Sequence, residues 1–217
     1  MSSEFIRLQE HYNHLARQYG DTPAAVQQSS LESQDRRLSI LAQLGPVADA
    51  SVLDFGCGAG RLLDVLVDNF AFKGHYTGYD ISEELLRMAH ERHPEAQFER
   101  RDIFTDGVGG EFDYVFISGV FNNRLADNQL FITRTLEVLF PHVRRGLAFN
   151  ALSPYVDFRD PNLYYADPEE LFRFCKERLS PSVSLRHDYE VKQGVVPYEF
   201  TLHVYRSQHV PRQKSAN

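Results

Sequence analysis

The sequence has no tryptophan and only two cysteines and two methionines among its 217 residues. Cys57 and Cys175 lack the spacing of a metal-binding or redox motif, so we expect neither a disulfide scaffold nor a zinc module. No run of about 18 apolar residues occurs, and the polar N-terminus does not resemble a signal peptide. These absences predict a soluble, cytoplasmic protein that does not span a membrane.

An excess of positive charge is also missing. The chain carries 23 lysines and arginines against 30 acidic residues, a net charge of -7. Nothing in this balance would attract a nucleic-acid backbone or an anionic membrane surface. We therefore expect a small-molecule substrate, with neither nucleic acid nor membrane as a partner. The composition does not indicate an oligomeric state.

Short β-rich runs alternate with helical patterns from residue 51 to residue 178. This alternation predicts parallel strands with helices on both faces of the sheet. The last two β-rich runs, residues 183–191 and 198–206, are joined by a segment too short for a crossover helix, so they should pair antiparallel. The predicted fold is α/β: a Rossmann-like, doubly wound sheet of about seven strands, mostly parallel, with an antiparallel C-terminal hairpin.

Two helical patterns, residues 3–19 and 31–44, precede the first strand. We predict an N-terminal helical segment at 1–46 that covers the substrate and cofactor, a main domain at 47–206, and a disordered tail at 207–217. Arg36 and Arg37 lie on the second pattern, within reach of the loop after the first strand. A surface position is favoured for both, with contact to a ligand carboxylate as the alternative.

The stretch VLDFGCGAGRLL, residues 52–63, places a glycine-rich loop between a strand and a helix. Such a loop lets a ligand approach the backbone, and the following helix N-terminus favours negative or polar ligand atoms. The dinucleotide fingerprint G-x-G-x-x-G would need glycine or alanine at position 61 or 63, where Arg61 and Leu63 stand. The pyrophosphate-binding pattern is therefore not met.

Residues 54–60 instead read D-x-G-x-G-x-G, and this motif resembles that of the class I S-adenosylmethionine-dependent methyltransferases. The resemblance implies that the loop, with Gly56, Gly58 and Gly60, surrounds the amino-acid end of the cofactor. It also implies that Asp54 helps to hold the cofactor ammonium. Residues 47–206 would then form an S-adenosylmethionine-binding methyltransferase domain.

The resemblance extends to the ends of the next three strands. It implies that Asp80 and Ile81 meet the ribose, and that Asp102 and Ile103 meet the adenine. It also places three residues beside the cofactor after the fourth strand: Ser118, Gly119 and Val120. All these positions follow strands, so they should lie along one crevice. Taken singly, Asp54 could cap a turn, Asp80 could cap the following helix and Asp102 could be an ordinary loop acid.

The resemblance implies methyl transfer from S-adenosyl-L-methionine, with S-adenosyl-L-homocysteine as the product. No metal is expected, because the helical pairs His11 with His14 and His90 with His93 lack a nearby third ligand. The Asn-Pro-Pro-aromatic motif typical of enzymes that methylate adenine or amide nitrogen is replaced by SGVF at 118–121. A small-molecule acceptor, a metabolite or natural product, is therefore favoured. No catalytic residue is assigned, because an acceptor that is already nucleophilic needs alignment more than it needs a base.

Candidate substrate-binding residues follow the fourth and fifth strands: Asn122, Asn123, Arg124, Tyr155, Phe158, Tyr164 and Tyr165. Arg124 would suit an anionic group, and aromatic faces would suit an apolar or cationic one. The four aromatic residues could equally form a lid that covers the core.

Two other functions remain open from the sequence. Asp80 would also suit a nicotinamide-dependent oxidoreductase, although Arg61 does not fit the loop of that class. A non-catalytic partner protein that binds S-adenosylmethionine would retain the same motifs.

Overall fold

The computed structural model describes residues 3–192 and 194–207 and contains six α-helices and seven β-strands. The helices are α1 (Ser3–Tyr19), α2 (Leu31–Ala42), α3 (Arg61–Phe70), α4 (Glu83–Arg92), α5 (Asn128–Leu139) and α6 (Pro168–Phe174). The strands are β1 (Ser51–Phe55), β2 (His75–Asp80), β3 (Gln97–Arg100), β4 (Phe112–Ile117), β5 (Val143–Leu152), β6 (Val183–Arg186) and β7 (Glu199–Tyr205).

All seven strands belong to one sheet in the order β3-β2-β1-β4-β5-β7-β6. Strands β1 to β5 are parallel to one another, and β7 lies antiparallel between β5 and β6. The predicted doubly wound sheet with an antiparallel C-terminal pair is therefore confirmed. The order reverses between β1 and β4, and the crevice beside such a switch point is where ligands bind in this architecture.

The sheet is buried on both faces because successive side chains of its central strands enter two different cores. In β4, Val115 and Ile117 belong to the core covered by α5 and α6. Tyr114 and Phe116 belong to the opposite core, which contains Leu41 of α2 together with apolar residues of α3 and α4. This double burial explains why β4 is a nearly continuous apolar run.

The N-terminal helix α1 has the predicted bounds and lies against α4. Arg17 of α1 forms an ion pair with Glu84 of α4 at 2.9 Å. The Oδ1 atom of Asn13 accepts a hydrogen bond of 2.7 Å from the Ser82 hydroxyl. These contacts place α1, and the 3-10 turn Pro23–Val26 that packs on it, at the end of β2. The division of the chain into a cover, a main domain and a tail stays a prediction, and residues 208–217 lie outside the described part.

The final β-rich runs are shorter in the structure than the sequence pattern predicts. Strand β6 ends at Arg186, because Tyr189 and Val191 leave the sheet edge to pack against Ile40 of α2. Alternation alone cannot distinguish this packing from a strand. Within residues 3–192 and 194–207, no helix has both the length and the apolar character needed to cross a bilayer.

Candidate functional site

A deep cleft opens where the parallel strands end, with an empty volume of about 1370 Å³ that includes its open mouth. Ten of the eleven predicted cofactor-binding residues line it: Asp54, Gly56, Gly58, Asp80, Ile81, Asp102, Ile103, Ser118, Gly119 and Val120. The exception is Gly60, the N-cap of α3, where an added Cβ would face His93 and Phe98. The order of strands therefore brings motifs that are far apart in sequence into one site.

The glycine-rich loop needs glycine at position 56 for two separate reasons. Gly56 has φ +79°, and a Cβ built there would lie 2.2 Å from Cγ2 of Val120. The loop after β1 and the loop after β4 are therefore in direct contact. Gly58 has φ +54° and faces Val26, whose Cγ1 would lie 3.1 Å from an added Cβ.

Asp80 holds two loops by accepting backbone hydrogen bonds on both carboxylate oxygens. Its Oδ2 accepts from the amide of Gly58 and its Oδ1 from the amide of Ser82, each at 2.8 Å. The N-cap of α4 is Ser82, so Asp80 is not the cap of that helix. Burial raises the pKa of Asp80, and these amides act in the opposite direction. The amide of Ile81 also lowers this pKa, and the carboxylate, an acceptor only, keeps capacity for ligand hydroxyls.

Asp54 is only 3% exposed and faces the hydroxyl of Tyr76, which donates to Oδ2 at 2.6 Å. Burial raises the pKa of Asp54 to about 7; the bond from Tyr76 lowers it, and the charge of Asp80 raises it further. A buried carboxyl in a cleft, with few neutralising partners, is a good candidate for binding a cation. The sequence of β2 gives no sign of this contact.

Asp102 shapes the next turn: its Oδ1 accepts from the amide of Phe104 at 3.0 Å. Ile103, which lies between Asp102 and Phe104 in the sequence, is buried. The Phe104 ring meets Phe5 of α1 at a centroid distance of 6.0 Å and Phe131 of α5 at 6.2 Å. This aromatic group forms an apolar wall of the cleft. The helical spacing of Phe5 indicates that it faces inward, but the sequence gives no sign of which neighbours it meets.

Tyr12 and Gln28 also line the cleft, and sequence reasoning assigned neither of them a role. The Tyr12 hydroxyl donates to Gln27 at 3.2 Å and accepts from the side-chain amide of Asn123 at 2.7 Å. Burial raises the pKa of Tyr12 to about 12, so the phenol is neutral. The Nε2 atom of Gln28 would lie 3.7 Å from a Cβ built on Gly119, which places this amide beside the exit of β4.

None of the seven predicted substrate-binding residues is among those that line the cleft. Three of them brace the segment after β5. Arg124 donates to the carbonyls of Pro161 and Leu163 at 2.8 and 3.0 Å. Asn123 forms an isolated bridge with Leu163, and the carbonyl of Asn122 accepts from the amide of Tyr164 at 2.8 Å. Arg124 is thus engaged by the protein's own backbone.

The four aromatic candidates differ in burial: Tyr164 packs against the core beside α5, Tyr165 is half-buried, and the other two are exposed. Tyr155 is 59% exposed and Phe158 is 77% exposed, which suits neither a closed lid nor a buried substrate contact in this conformation. The Tyr164 hydroxyl donates to Gln129, and the Tyr165 hydroxyl accepts from the amide of Asp160.

The arginines that line the cleft all have acidic or carbonyl partners within the described part of the chain. Arg61 binds both carboxylate oxygens of Asp35 at 2.7 Å and also contacts Asp64. Arg92 lies 2.6 Å from Asp21. Arg101 lies 2.7 Å from Glu99 and donates to the carbonyls of Asp106 and Gly107.

Arg37 does not occupy the predicted surface position, nor does it line the cleft. It is 5% exposed and pairs with Glu199 of β7 at 3.2 Å. Cys57 is buried, and its thiol donates to the carbonyl of Gly58. Among residues 3–192 and 194–207, no group of three histidine, cysteine or acidic side chains has the arrangement of a metal site.

The sheet order, the glycine-rich loop after β1 and the acids after β1, β2 and β3 together define a Rossmann-like protein with an acid-lined cleft at its switch point. The profile of the family described as "Methyltransferase domain" matches residues 46–152. The chain belongs to the class I S-adenosylmethionine-dependent methyltransferases, and its cofactor is S-adenosylmethionine.

Individual relatives agree with this assignment. The chain is 43% identical over 164 residues to a protein of Mycobacterium tuberculosis (strain ATCC 25618 / H37Rv) that is named as a methyltransferase, and the match spans 72% of this chain and 93% of the relative. It is 30% identical over 100 residues to trans-aconitate 2-methyltransferase of Sinorhizobium medicae (strain WSM419), a match that spans 45% of this chain and 38% of the relative.

The crystal structure of magnesium protoporphyrin IX methyltransferase from Synechocystis PCC 6803, with bound cofactor, shares the fold. Its TM-score is 0.68 at 18% identity, over 95% of this chain and 99% of that one. The family profile and the 43% identical relative, together, do not support the oxidoreductase alternative: the chain is an S-adenosylmethionine-dependent methyltransferase.

Proposed function

We propose that this enzyme methylates a small acceptor that carries no carboxylate, and that the ten predicted residues which line the cleft hold its cofactor. The observation that carries the proposal is the position of Asp54, Asp80 and Asp102 at the ends of three neighbouring strands, around one cleft. The residues fit the cofactor chemically, because a buried carboxyl suits its ammonium and an acceptor-only carboxylate suits its ribose hydroxyls.

Each acid has a separate proposed role. Asp54 would neutralise the ammonium, Asp80 would accept hydrogen bonds from the ribose hydroxyls, and Asp102 with the backbone of Ile103 would meet the adenine. The amides of Gly56, Cys57, Gly58 and Gly60 already donate to Tyr79, Asp80 or Cys57. The cofactor carboxylate would therefore be received by the amides that begin α3. Gly60 would act only by shaping the turn that begins this helix.

When bound, the cofactor supplies a sulfonium methyl group that a nucleophile displaces from the opposite side. The protein's task is to align that nucleophile and to exclude water. Gly119 and Val120 present a small, apolar surface at the exit of β4, with Gln28 beside them. We place the acceptor at this end of the cleft, between Gln28 and Tyr12.

The arginines of the cleft argue against an anionic acceptor. A polycarboxylate acceptor would need a cation for its carboxylates, but Arg61, Arg92 and Arg101 are engaged by acids or carbonyls. Breaking a bidentate pair such as that of Arg61 with Asp35 would oppose binding. The relative that acts on trans-aconitate matches this chain over only 38% of its own length, so its acceptor is not carried over.

The test is a methyl-transfer assay with labelled cofactor and two matched groups of acceptors. One group contains uncharged phenols, alcohols and amides of similar size, and the other contains di- and tricarboxylates. We expect label to enter members of the first group only. Transfer confined to the carboxylates, or to neither group, would overturn the acceptor class. The cytoplasmic location and small-molecule partner remain predictions.

Cofactor-product binding should strengthen as the pH rises towards about 7, because Asp54 has its pKa raised to about 7 and must ionise to meet the ammonium. Below that pKa, the affinity for S-adenosylhomocysteine should rise by up to about tenfold per pH unit. Binding should then release the proton of Asp54. Calorimetry in buffers of different ionisation enthalpy measures both effects.

Asp54→Asn is the matched control, since it keeps the shape and cannot ionise. It should bind weakly and lose this part of the pH dependence. The stability of the free protein should depend on pH with the opposite sign from the binding affinity. A raised carboxyl pKa means that the folded state holds the proton more tightly than the unfolded state. Stability should therefore fall between about pH 4 and pH 7, and less so in the variant. Equal pH profiles for both proteins would contradict the assigned role.

A further inference from the structure

Three buried polar side chains connect α2 to the exit of β4. Arg37, Glu199 and Asn150 are 5%, 1% and 0% exposed. Nε of Arg37 lies 3.2 Å from Oε2 of Glu199. The side-chain amide of Asn150 donates to Oε1 of Glu199 at 3.0 Å. These contacts join a helix of the N-terminal segment to two strands of the sheet.

The other end of the Asn150 amide reaches the cofactor cleft. Its Oδ1 accepts from the backbone amide of Gly119 at 2.8 Å, and its Nδ2 donates to the Ser118 hydroxyl at 3.3 Å. In the sheet register Ile117 pairs with Phe149, so Asn150 lies next to the point where β4 ends. Asn150 is therefore the contact that holds the chain as it leaves the strand.

Glu199 determines which way the Asn150 amide points. An ionised carboxylate only accepts hydrogen bonds, so it selects the NH₂ end of the amide and leaves the oxygen facing Gly119. The Arg37 guanidinium supports the ionised form, although burial raises the pKa of Glu199. Tyr189, bonded to Thr201 at 2.7 Å, also points its hydroxyl at Glu199.

The position of Gly119 matters because the next residue touches the glycine-rich loop. Gly119 has φ +73°, and the side chain of Val120 occupies the space into which a Cβ on Gly56 would project. A rotation of the peptide at Gly119 would move Val120 into or away from the loop after β1. The Asn150 amide is thus linked, through Gly119 and Val120, to the contact between two cofactor-facing loops.

We propose that Asn150 is a positioning residue for the cofactor site, oriented by Glu199 and Arg37. The inference rests on the cofactor site proposed above. A gain in folding stability does not explain the network. The desolvation free energy of a buried ion pair is about as large as the attraction between its charges, and apolar side chains would fill the same space. What apolar side chains would not supply is an acceptor for the Gly119 amide.

Binding of S-adenosylhomocysteine to the full chain provides the first test. Asn150→Ala removes the acceptor and should weaken binding by about tenfold or more, the effect of one buried hydrogen bond that loses its partner. Val204→Ala is the matched control: it removes buried apolar volume from the strand that carries Glu199, but it touches neither Asn150 nor the cleft. It should lower the melting temperature and leave the dissociation constant within about twofold.

Asn150→Asp supplies a readout that a purely structural role would not move. It places a second carboxyl about 3 Å from Glu199, and two such groups share one proton with a raised pKa. At low pH the shared proton restores the original geometry, with an oxygen left for Gly119. The affinity of this variant should fall as pH rises through that pKa, opposite in sign to the rise expected from Asp54.

Other titratable groups near the amide do not produce this profile. The facing groups are Glu199 and Arg37 with Tyr189 and Tyr198, and neither tyrosine ionises in this range because burial raises the pKa of both phenols. His203, further along β7, has its pKa lowered to about 4 by burial.

The outcomes separate the two proposals. If the wild-type protein fails to bind S-adenosylhomocysteine, the proposed cofactor site fails, whatever the variants do. If the wild type binds and Asn150→Ala binds equally well, or Asn150→Asp follows the wild-type pH profile, the positioning role is overturned. If Asn150→Ala does not fold, the pH profile of Asn150→Asp decides alone.

Discussion

Replacing Asp80 with alanine is expected to weaken S-adenosylhomocysteine binding by about a hundredfold or more. Charge-assisted hydrogen bonds contribute about 1.5–3 kcal/mol each, and the variant would lose those proposed to the two ribose hydroxyls. It would also lose the acceptor that holds the amide of Gly58 at 2.8 Å, so the glycine-rich loop would relax. Titration calorimetry of the folded variant measures the loss.

Asp127→Ala is the matched control for this experiment. Asp127 caps α5 by accepting from the amide of Leu130 at 2.9 Å, and it does not line the cleft. Its loss should cost about 1 kcal/mol of stability and leave binding unchanged. Asp80→Asn, which keeps one acceptor oxygen, should fall between the wild type and Asp80→Ala. If Asp80→Ala bound as well as the control does, Asp80 would be a structural residue only.

Replacing Gly56 with alanine should destabilise the fold by about 3 kcal/mol and abolish measurable cofactor-product binding. Two costs combine: about 1 kcal/mol for a side chain at positive φ, and about 1–3 kcal/mol for overpacking against Val120. The clash is severe, because the added Cβ would lie 2.2 Å from Cγ2 of Val120. Chemical denaturation and calorimetry measure the two effects separately.

Gly20→Ala separates these costs, since Gly20 has φ +58° and nothing lies within 4 Å of an added Cβ. It should lose only about 1 kcal/mol. The double variant Gly56→Ala with Val120→Ala should recover part of the difference, because it removes the atom that clashes. An additive double variant would show that the two loops are not in contact.

The fold was largely predictable because its signals are local. The glycine-rich loop, the turn at Gly20 and the short connection before β7 each restrict the few residues around them, and the alternation of patterns then implies the sheet. The end of β6 was not predictable, since Tyr189 and Val191 pack against Ile40, some 150 residues earlier. No local pattern carries that contact.

The candidate site divides in the same way. Asp54, Asp80 and Asp102 follow strands, and parallel strands end at one edge, so their grouping was predictable from position alone. The walls that face them come from Phe5, Tyr12, Gln28 and Phe131, which the helical spacing or loop position did not mark as site residues. The aromatic residues after β5 were predicted to bind substrate and do not line the cleft. Tyr155 and Phe158 are instead largely exposed.

The sequence by itself determined the class of this protein, because strand, loop and helix signals and the acids that follow strands depend on neighbours a few residues away. Only the tertiary structure decided that Arg37 is buried on Glu199, that Asn150 holds Gly119, and that each cleft arginine already has a partner. Those contacts join residues up to about 160 positions apart in the chain. A polar side chain can form hydrogen bonds with many possible partners, and only tertiary packing decides which partner lies beside it.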